Sequence, residues 1–157
     1  MEADTIHRSV VHATFTTERQ FPAQASRVFA AFADPDLRRQ WNSPSDDVII
    51  RNEADDFRVG GRDLAVCVAD GQDVARVETR YIDIVANERL LFSEAISDME
   101  RLMGASLVTV ELISGEAGTR VAVTIQTTGL DGSGLDQGVV DGWTAALDRL
   151  GGLMAAG

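Results

Sequence analysis

Arg76, Glu78 and Arg80 alternate within VARVETRY and run directly into Tyr81, the only tyrosine of the chain. A carboxylate between two guanidiniums, with a phenol beside them, is a set that moves protons or polarises a carbonyl when it faces a cavity. The alternation itself argues for the other orientation. Val77, Thr79 and Tyr81 fall on one face of a strand, and the three charges fall on the opposite, wet face, where they pair across strands. A slip of one residue would exchange the two faces, so the inward arrangement stays as the alternative. Tyr81 in turn either hydrogen-bonds a ligand carbonyl or stands as a strand aromatic with its hydroxyl at the rim.

Other reactive side chains are sparse. Cys67, the one cysteine, lies between Val66 and Val68 in an apolar run with no basic residue closer than Arg62. A buried thiol without a positive neighbour keeps a high pKa and stays inert. His7 and His12 are the only histidines, so no metal-ligand cluster is expected, and no cofactor. A serine-hydrolase triad would need one of them, near a chain end and on a wet face. All 14 basic residues are arginine, which excludes lysine Schiff-base chemistry and the phosphate-loop lysine. Gly129 to Gly134, GLDGSG, is glycine-dense but lacks a flanking βαβ pattern and reads as a linker.

Charge narrows the partners. With 25 acidic and 14 basic side chains the formal charge is −11, which repels phosphate backbones and anionic membranes. Arg38-Arg39 is the only adjacent basic pair and follows Asp34 and Asp36. Neither nucleic acid nor membrane is an expected partner. No apolar run approaches the roughly 20 residues of a membrane span. MEADTIHRSV does not resemble a secretory signal, and a lone cysteine cannot make an internal disulfide, so a cytoplasmic location is the expectation.

The elements that must position these residues follow from periodicity. Residues 1–8 carry none and are expected to fray, leaving one domain over residues 9–155. VVHATFTTERQF, Val10 to Phe21, is a strand with Ala13, Phe15 and Thr17 on one side and His12, Thr14 and Glu18 on the other. Pro22 ends it. Val28, Phe29 and Phe32 recur at helical spacing in ASRVFAAFA. Asp34-Pro35 then opens a second short helix through Trp41, the plug of the corner. A brief strand at Val48–Ile50 precedes Gly60-Gly61, a turn or bulge.

Strands follow at Leu64–Val68, Val74–Val85 and Arg89–Ile96. Asp70-Gly71 joins the first two as a hairpin, a bulge falls in Ile82–Val85, and Ala86-Asn87-Glu88 turns the chain. In LVTVELI and VAVTIQT, Val108, Val110, Leu112, Val121, Val123 and Ile125 alternate with polar residues, the mark of antiparallel strands covered on one side. The last segment, Asp136 to Met154, places Val139, Trp143, Leu147, Leu150 and Met154 on one helical face, with Asp136 as its cap. At about 1.5 Å per residue this helix is about 27 Å long, enough to cross a sheet. Strands segregated from helices give an α+β fold with the helix packed on one side of the sheet.

FPAQASRVFAAFADPDLRRQW, DFRVGGR, YIDIVANERLLF, TVELISGEAGTRVAVTIQT and GWTAALDRL, in that order, resemble the AHSA branch (activator of heat-shock-protein-90 ATPase homologue) of the START-like helix-grip superfamily. The resemblance spans roughly residues 13–153. It departs at Val85-Ala86-Asn87, where the family usually carries proline before its Glu-Arg-Leu. It implies a curved antiparallel sheet of six or seven strands around a long C-terminal helix, often with a cavity between. Its members include lipid and hormone carriers, polyketide aromatase/cyclases and co-chaperone domains.

The expectation is therefore a container for a small apolar or amphipathic molecule. Val66, Tyr81, Phe92, Val108, Val110, Val121 and Val123 form its wall, Val139, Trp143 and Leu147 its lid, and Trp41 its corner. Each of the two tryptophans has core packing as its alternative role. A chaperone-associated protein–protein module, meeting a basic partner through the acidic surface, is the second reading. A cyclase or aromatase is the third and needs an inward acid or base with a displaced pKa. An exposed sheet edge leaves a homodimer possible.

Overall fold

The protein is described by a computed structural model covering residues 8–43 and 45–156. The expected fraying of residues 1–8 falls largely outside this range, as does His7. At the start of the described chain, the Ser9 N–H donates to Asp131 Oδ1 at 3.0 Å, and the Asp131 N–H returns to the Ser9 carbonyl at 2.9 Å.

Seven strands and three helices follow in order: β1 (Val10–Phe21), α1 (Ala25–Ala33), α2 (Pro35–Arg38), β2 (Val48–Asp55), β3 (Arg62–Ala69), β4 (Gln72–Val85), β5 (Arg89–Ser97), β6 (Leu102–Gly115), β7 (Gly118–Leu130) and α3 (Leu135–Ala155). The strands form one antiparallel sheet in the order β1-β7-β6-β5-β4-β3-β2, curved around α3: the helix-grip α+β fold. Consecutive strands pair from β2 to β7, as short turns dictate. Asp70 and Gly71, both at positive φ, make the tight β3–β4 turn. The bulge in β4 falls at Ile82, where the register with β5 steps from Tyr81 to Asp83.

Several boundaries differ from the sequence reading. Strand β2 continues to Asp55, because a bulge between Asn52 and Ala54 lets it keep pairing with β3 beyond its short apolar run. Helix α2 stops at Arg38, and Trp41 plugs the corner from the turn that follows, with its indole N–H donating to the Ala31 carbonyl at 2.9 Å. Asp136 does not cap α3. The cap position is Gly134 in the left-handed region, and Ser133 Oγ accepts from the Leu135 N–H at 3.3 Å. Asp136 instead sits in the first turn, where its charge still suits the helix dipole. At the far end, the Arg27 guanidinium from α1 donates to the carbonyls of Leu153 and Met154, satisfying groups the helix leaves open.

The core is uneven. Helix α3 lies over β1, β7 and β6. There Val108, Val110, Val121, Val123, Ile125, Leu147 and Leu150 are fully enclosed, together with Val28 and Ala31 of α1. Strands β2 to β4 make no comparable approach to α3, so the concave face at that end is left to be closed by α2, Trp41 and Phe57.

Candidate functional site

That uncovered end holds a cavity of about 320 Å³. Its floor comes from alternate residues on four neighbouring strands: Ile50 of β2, Asp63, Ala65 and Cys67 of β3, Ala75, Val77, Thr79 and Tyr81 of β4, and Leu90, Phe92, Glu94 and Ile96 of β5. The register requires this grouping, since Cys67 opposes Ile50 and Ala75, Ala65 opposes Val77, and Thr79 opposes both Asp63 and Glu94. Phe32, Trp41, Asn42 and Phe57 close one side. The first half of α3 closes another with Leu135, Val139 and Trp143, and with two glycines, Gly138 and Gly142.

The two glycines stand four residues apart on one helical face, and a Cβ built on either would meet no atom within 4 Å. Gly138 is exposed, so the cavity reaches the surface along this bare strip of helix. Glycine inside a helix costs about 1 kcal/mol relative to alanine, so this wall is kept low at the expense of helix stability.

Five of the anticipated lining residues border the cavity: Trp41, Tyr81, Phe92, Val139 and Trp143. Six do not. Val108, Val110, Val121, Val123 and Leu147 face the sheet–helix interior, but in its filled half, where the β6–β7 side chains pack directly on α1 and the last turns of α3. Val66 lies on the other face of the sheet, opposite Arg51 and Arg76 in the register. The apolar run suggested that Val66 faced inward, whereas Asp63, Ala65 and Cys67 take that side. Arg76, Glu78 and Arg80 point outward as the alternation favours, and Glu78 bridges Arg62 at 2.9 Å and Arg80 at 3.2 Å.

Apart from Tyr81, the polar part of the cavity comes from residues the sequence reading did not assign to the site. Arg38 is buried and fixes a cluster. Its guanidinium donates to the Tyr81 hydroxyl at 2.7 Å and to Asp55 Oδ2 at 2.7 Å, and lies 3.5 Å from Asp63 Oδ2. Asn52 Nδ2 donates to Asp63 Oδ1 at 2.9 Å. Burial pushes the Asp63 pKa up, with the Arg38 charge opposing and Asp55 adding to the shift. Burial likewise raises the Tyr81 phenol, so it stays protonated. Burial alone would lower the Arg38 pKa, but Tyr81, Asp63 and Asp55 outweigh it, and the guanidinium stays charged.

Glu94 stands apart from that cluster. Its Oε1 accepts from the Trp143 indole N–H at 3.3 Å, its only side-chain partner among the described residues. Desolvation raises its pKa from 4.5 to about 7, the indole bond opposes the rise, and Asp63 adds to it. Nearby, Asn42 Oδ1 is buried with no hydrogen-bond partner among the described residues, a rare state for an interior acceptor.

Aromatic rings complete the wall. Tyr81 meets Phe57 edge-on at 4.8 Å and Phe92 at 6.0 Å, and Phe92 lies 6.2 Å from Trp143. Cys67 faces the cavity with its thiol pKa raised by burial. Among the described residues no group of three potential ligands could hold a metal ion, and no helix is long and apolar enough to cross a membrane.

The signal for the missed residues was present in the alternation. Leu90, Phe92 and Ile96 share a face, and that face must also carry Glu94. The face of Ala65 and Cys67 must likewise carry Asp63. A charged residue at an inward position of a strand marks a site more specifically than the apolar residues around it.

The comparisons with known proteins agree with this architecture. A family model described as activator of Hsp90 ATPase homolog 1-like protein matches residues 22–155. An uncharacterised protein from Rhizobium leguminosarum is 31% identical, with 96% of this chain and 99% of that one aligned at a TM-score of 0.84. The Mll3558 protein from Rhizobium loti is 36% identical over 92% and 98% of the two chains, at 0.81. An AHSA1-like protein from Aeromonas hydrophila is 25% identical over 92% and 93%, at 0.72. No curated protein matches the chain.

Proposed function

This chain belongs to the activator of Hsp90 ATPase homolog 1-like family, and from that premise we propose that it binds a small amphipathic molecule between strands β2–β5 and the first half of α3. The observation that carries the reading is a cavity of about 320 Å³, mostly apolar in its lining, with a few polar groups at defined positions. That volume sits at the low end for small-molecule sites, matching a short chain or a two-ring compound rather than a long-chain lipid. Apolar burial, at roughly 25 cal/mol per Å², supplies most of the affinity, and the polar groups set orientation.

Native mass spectrometry of freshly purified protein tests this, followed by titration with the neutral dye N-phenyl-1-naphthylamine. Cys67 gives a second readout: burial makes its thiol slow to react, so alkylation is followed over hours at pH 9 with a small reagent, and an occupant of the cavity shields it further. Saturable dye binding that slows Cys67 modification is expected. No bound mass, no saturation and no protection would remove the reading.

Glu94 favours an enzymatic reading as the second one, since it supplies the inward acid that a cyclase-type reaction requires. Turnover of a bound ligand, lost in Glu94→Gln while binding persists, would establish it. The chaperone-associated reading rests on the family description, and stimulation of chaperone ATPase turnover by added protein tests it.

A further inference from the structure

We infer that the cavity selects a ligand carrying a protonated amine or another strong hydrogen-bond donor on a short apolar body, with that head seated between Glu94 and the rings of Trp143, Phe92 and Tyr81. This rests on the cavity being a ligand site, as proposed above.

Charge balance inside the cavity favours a cation. Among the described residues Arg38 is the only basic side chain in the lining, and Asp55, Asp63 and the Tyr81 hydroxyl already engage it. When their carboxylates are ionised, Arg38, Asp55 and Asp63 carry one negative charge between them. Glu94 is separate from that cluster and has no basic partner: the one charged group acting on it is Asp63, which is also acidic. A carboxylate or phosphate ligand would enter a largely apolar, partly open site with acceptors facing it and, among the described residues, no free cation, and desolvated like charges are costly. A donor head meets the reverse situation. Glu94 offers a carboxylate held by a single indole bond, and Asn42 Oδ1 offers a second acceptor with no partner among the described residues.

The aromatic lining points the same way. Ring faces carry partial negative charge and attract cations within about 6 Å of their centroids, more strongly when water is excluded. Phe92 lies 6.0 Å from Tyr81 and 6.2 Å from Trp143, so the three rings flank one region of the cavity, and Glu94 is two residues from Phe92 on the same strand face. Carboxylate plus rings is a donor set for ammonium. It is poorly matched to a fatty acid of the same length.

The groups that reach Glu94 are few, and only one is charged. Neutral Thr79 of β4 and Ser106 of β6 oppose it in the register, the Trp143 indole approaches from α3, and the Asp63 carboxyl acts from β3. An ammonium ion that pairs with the Glu94 carboxylate therefore displaces its proton, and binding becomes linked to pH.

Calorimetric titration of the full chain with octylamine, octanol and octanoate at pH 6, 7 and 8 tests the inference, alongside the neutral dye. Octylamine is expected to bind at least tenfold more tightly than octanoate at pH 8, with octanol between them. Its affinity is expected to rise several-fold from pH 6 to pH 8 with proton release, while that of octanol stays flat. Glu94→Gln, which keeps the shape and the indole bond, should bring octylamine to the level of octanol and remove the pH dependence. Octanoate binding as tightly as octylamine, or an order unchanged in Glu94→Gln, would overturn the inference. Dye binding without octylamine binding would overturn it and leave the ligand reading standing, whereas absence of both would remove the two together.

Discussion

Replacing Glu94 by glutamine should make the protein more stable at pH 8 and leave it nearly unchanged at pH 4. The folded state raises the Glu94 pKa from 4.5 to about 7, chiefly by desolvation. Between these values the native protein holds a proton that the unfolded chain has released, so stability falls as pH rises through this window. At ~1.36 kcal/mol per pH unit, the interval amounts to about 3 kcal/mol, and contact of the carboxyl with cavity water brings this to about 2–3. Glutamine removes the titration but keeps an oxygen for the Trp143 indole. Urea unfolding of both proteins at half-unit steps from pH 4 to pH 8 is the assay. The two stability curves should run together at pH 4 and diverge to about 2–3 kcal/mol above pH 7, the variant on top, which for a chain of this size is about 4–12 °C in Tm. Tyr81 stays protonated throughout this range, and Asp63 titrates in both proteins, so that its own contribution largely cancels in the difference. Parallel curves, or a variant less stable at pH 8, would refute the placement of this carboxyl in the interior.

Arg38→Met leaves Asp63 and Asp55 without their cation, and a loss of about 3–5 kcal/mol in urea unfolding is expected, partly restored by adding Asp63→Asn. Gly142→Ala should raise stability by about 1 kcal/mol through helix propensity, while Gly142→Leu, whose side chain enters the open space, should weaken dye binding at least tenfold. Leu147→Ala, in the filled half, should cost about 2–5 kcal/mol in unfolding yet leave the dye affinity of the folded protein within about twofold.

Alternation made most of the sheet legible. Every strand with a clean period of two, from Ala13–Thr17 to Val121–Ile125, lies where the pattern puts it. The hairpin at Asp70-Gly71 and the bulge near Ile82 follow from turn chemistry and a break in the period. Strand ends were less legible because pairing, not composition, extends them: Arg51 to Asp55 join β2 only because β3 is alongside. The cap of α3 was misplaced because Gly134 and Ser133 share a role that acidic residues more often fill. For the site, apolar character was a poor guide. It pointed to Val108, Val110, Val121 and Val123, which fill the core, and to Val66, which sits on the far face. Besides its large apolar residues, the cavity is bounded by small side chains, Ala65, Cys67 and Ala75, and by polar ones at inward positions, Asp63, Thr79 and Glu94, which apolar character alone does not reveal.

That difference follows from what keeps a cavity open. An apolar wall of large side chains collapses, since atoms that face a void forgo the dispersion attraction of close packing. Here the large rings of the lining stand beside short side chains, Ala65, Cys67 and Ala75, α3 carries Gly138 and Gly142 in place of bulk, and Arg38 holds Tyr81 and Asp63 in one cluster. The open half carries features that lower stability: the helix glycines, a Glu94 carboxyl whose ionisation desolvation disfavours, and an acceptor at Asn42 with no partner among the described residues. Stability is recovered on the other half of the sheet, where β1, β7 and β6 close on α1 and the last turns of α3 without a gap. The two halves share one helix. Its apolar stripe reads as continuous from Val139 to Met154, but the core residues of its first half, Leu135 and Val139, also border open space, whereas Leu147, Leu150 and Met154 in its second half do not. Substitutions in the second half should therefore register in stability alone, and those in the first half in ligand affinity as well. A Trp143→Phe variant that retained full dye affinity would contradict that division, because it shrinks the wall at the centre of the open half.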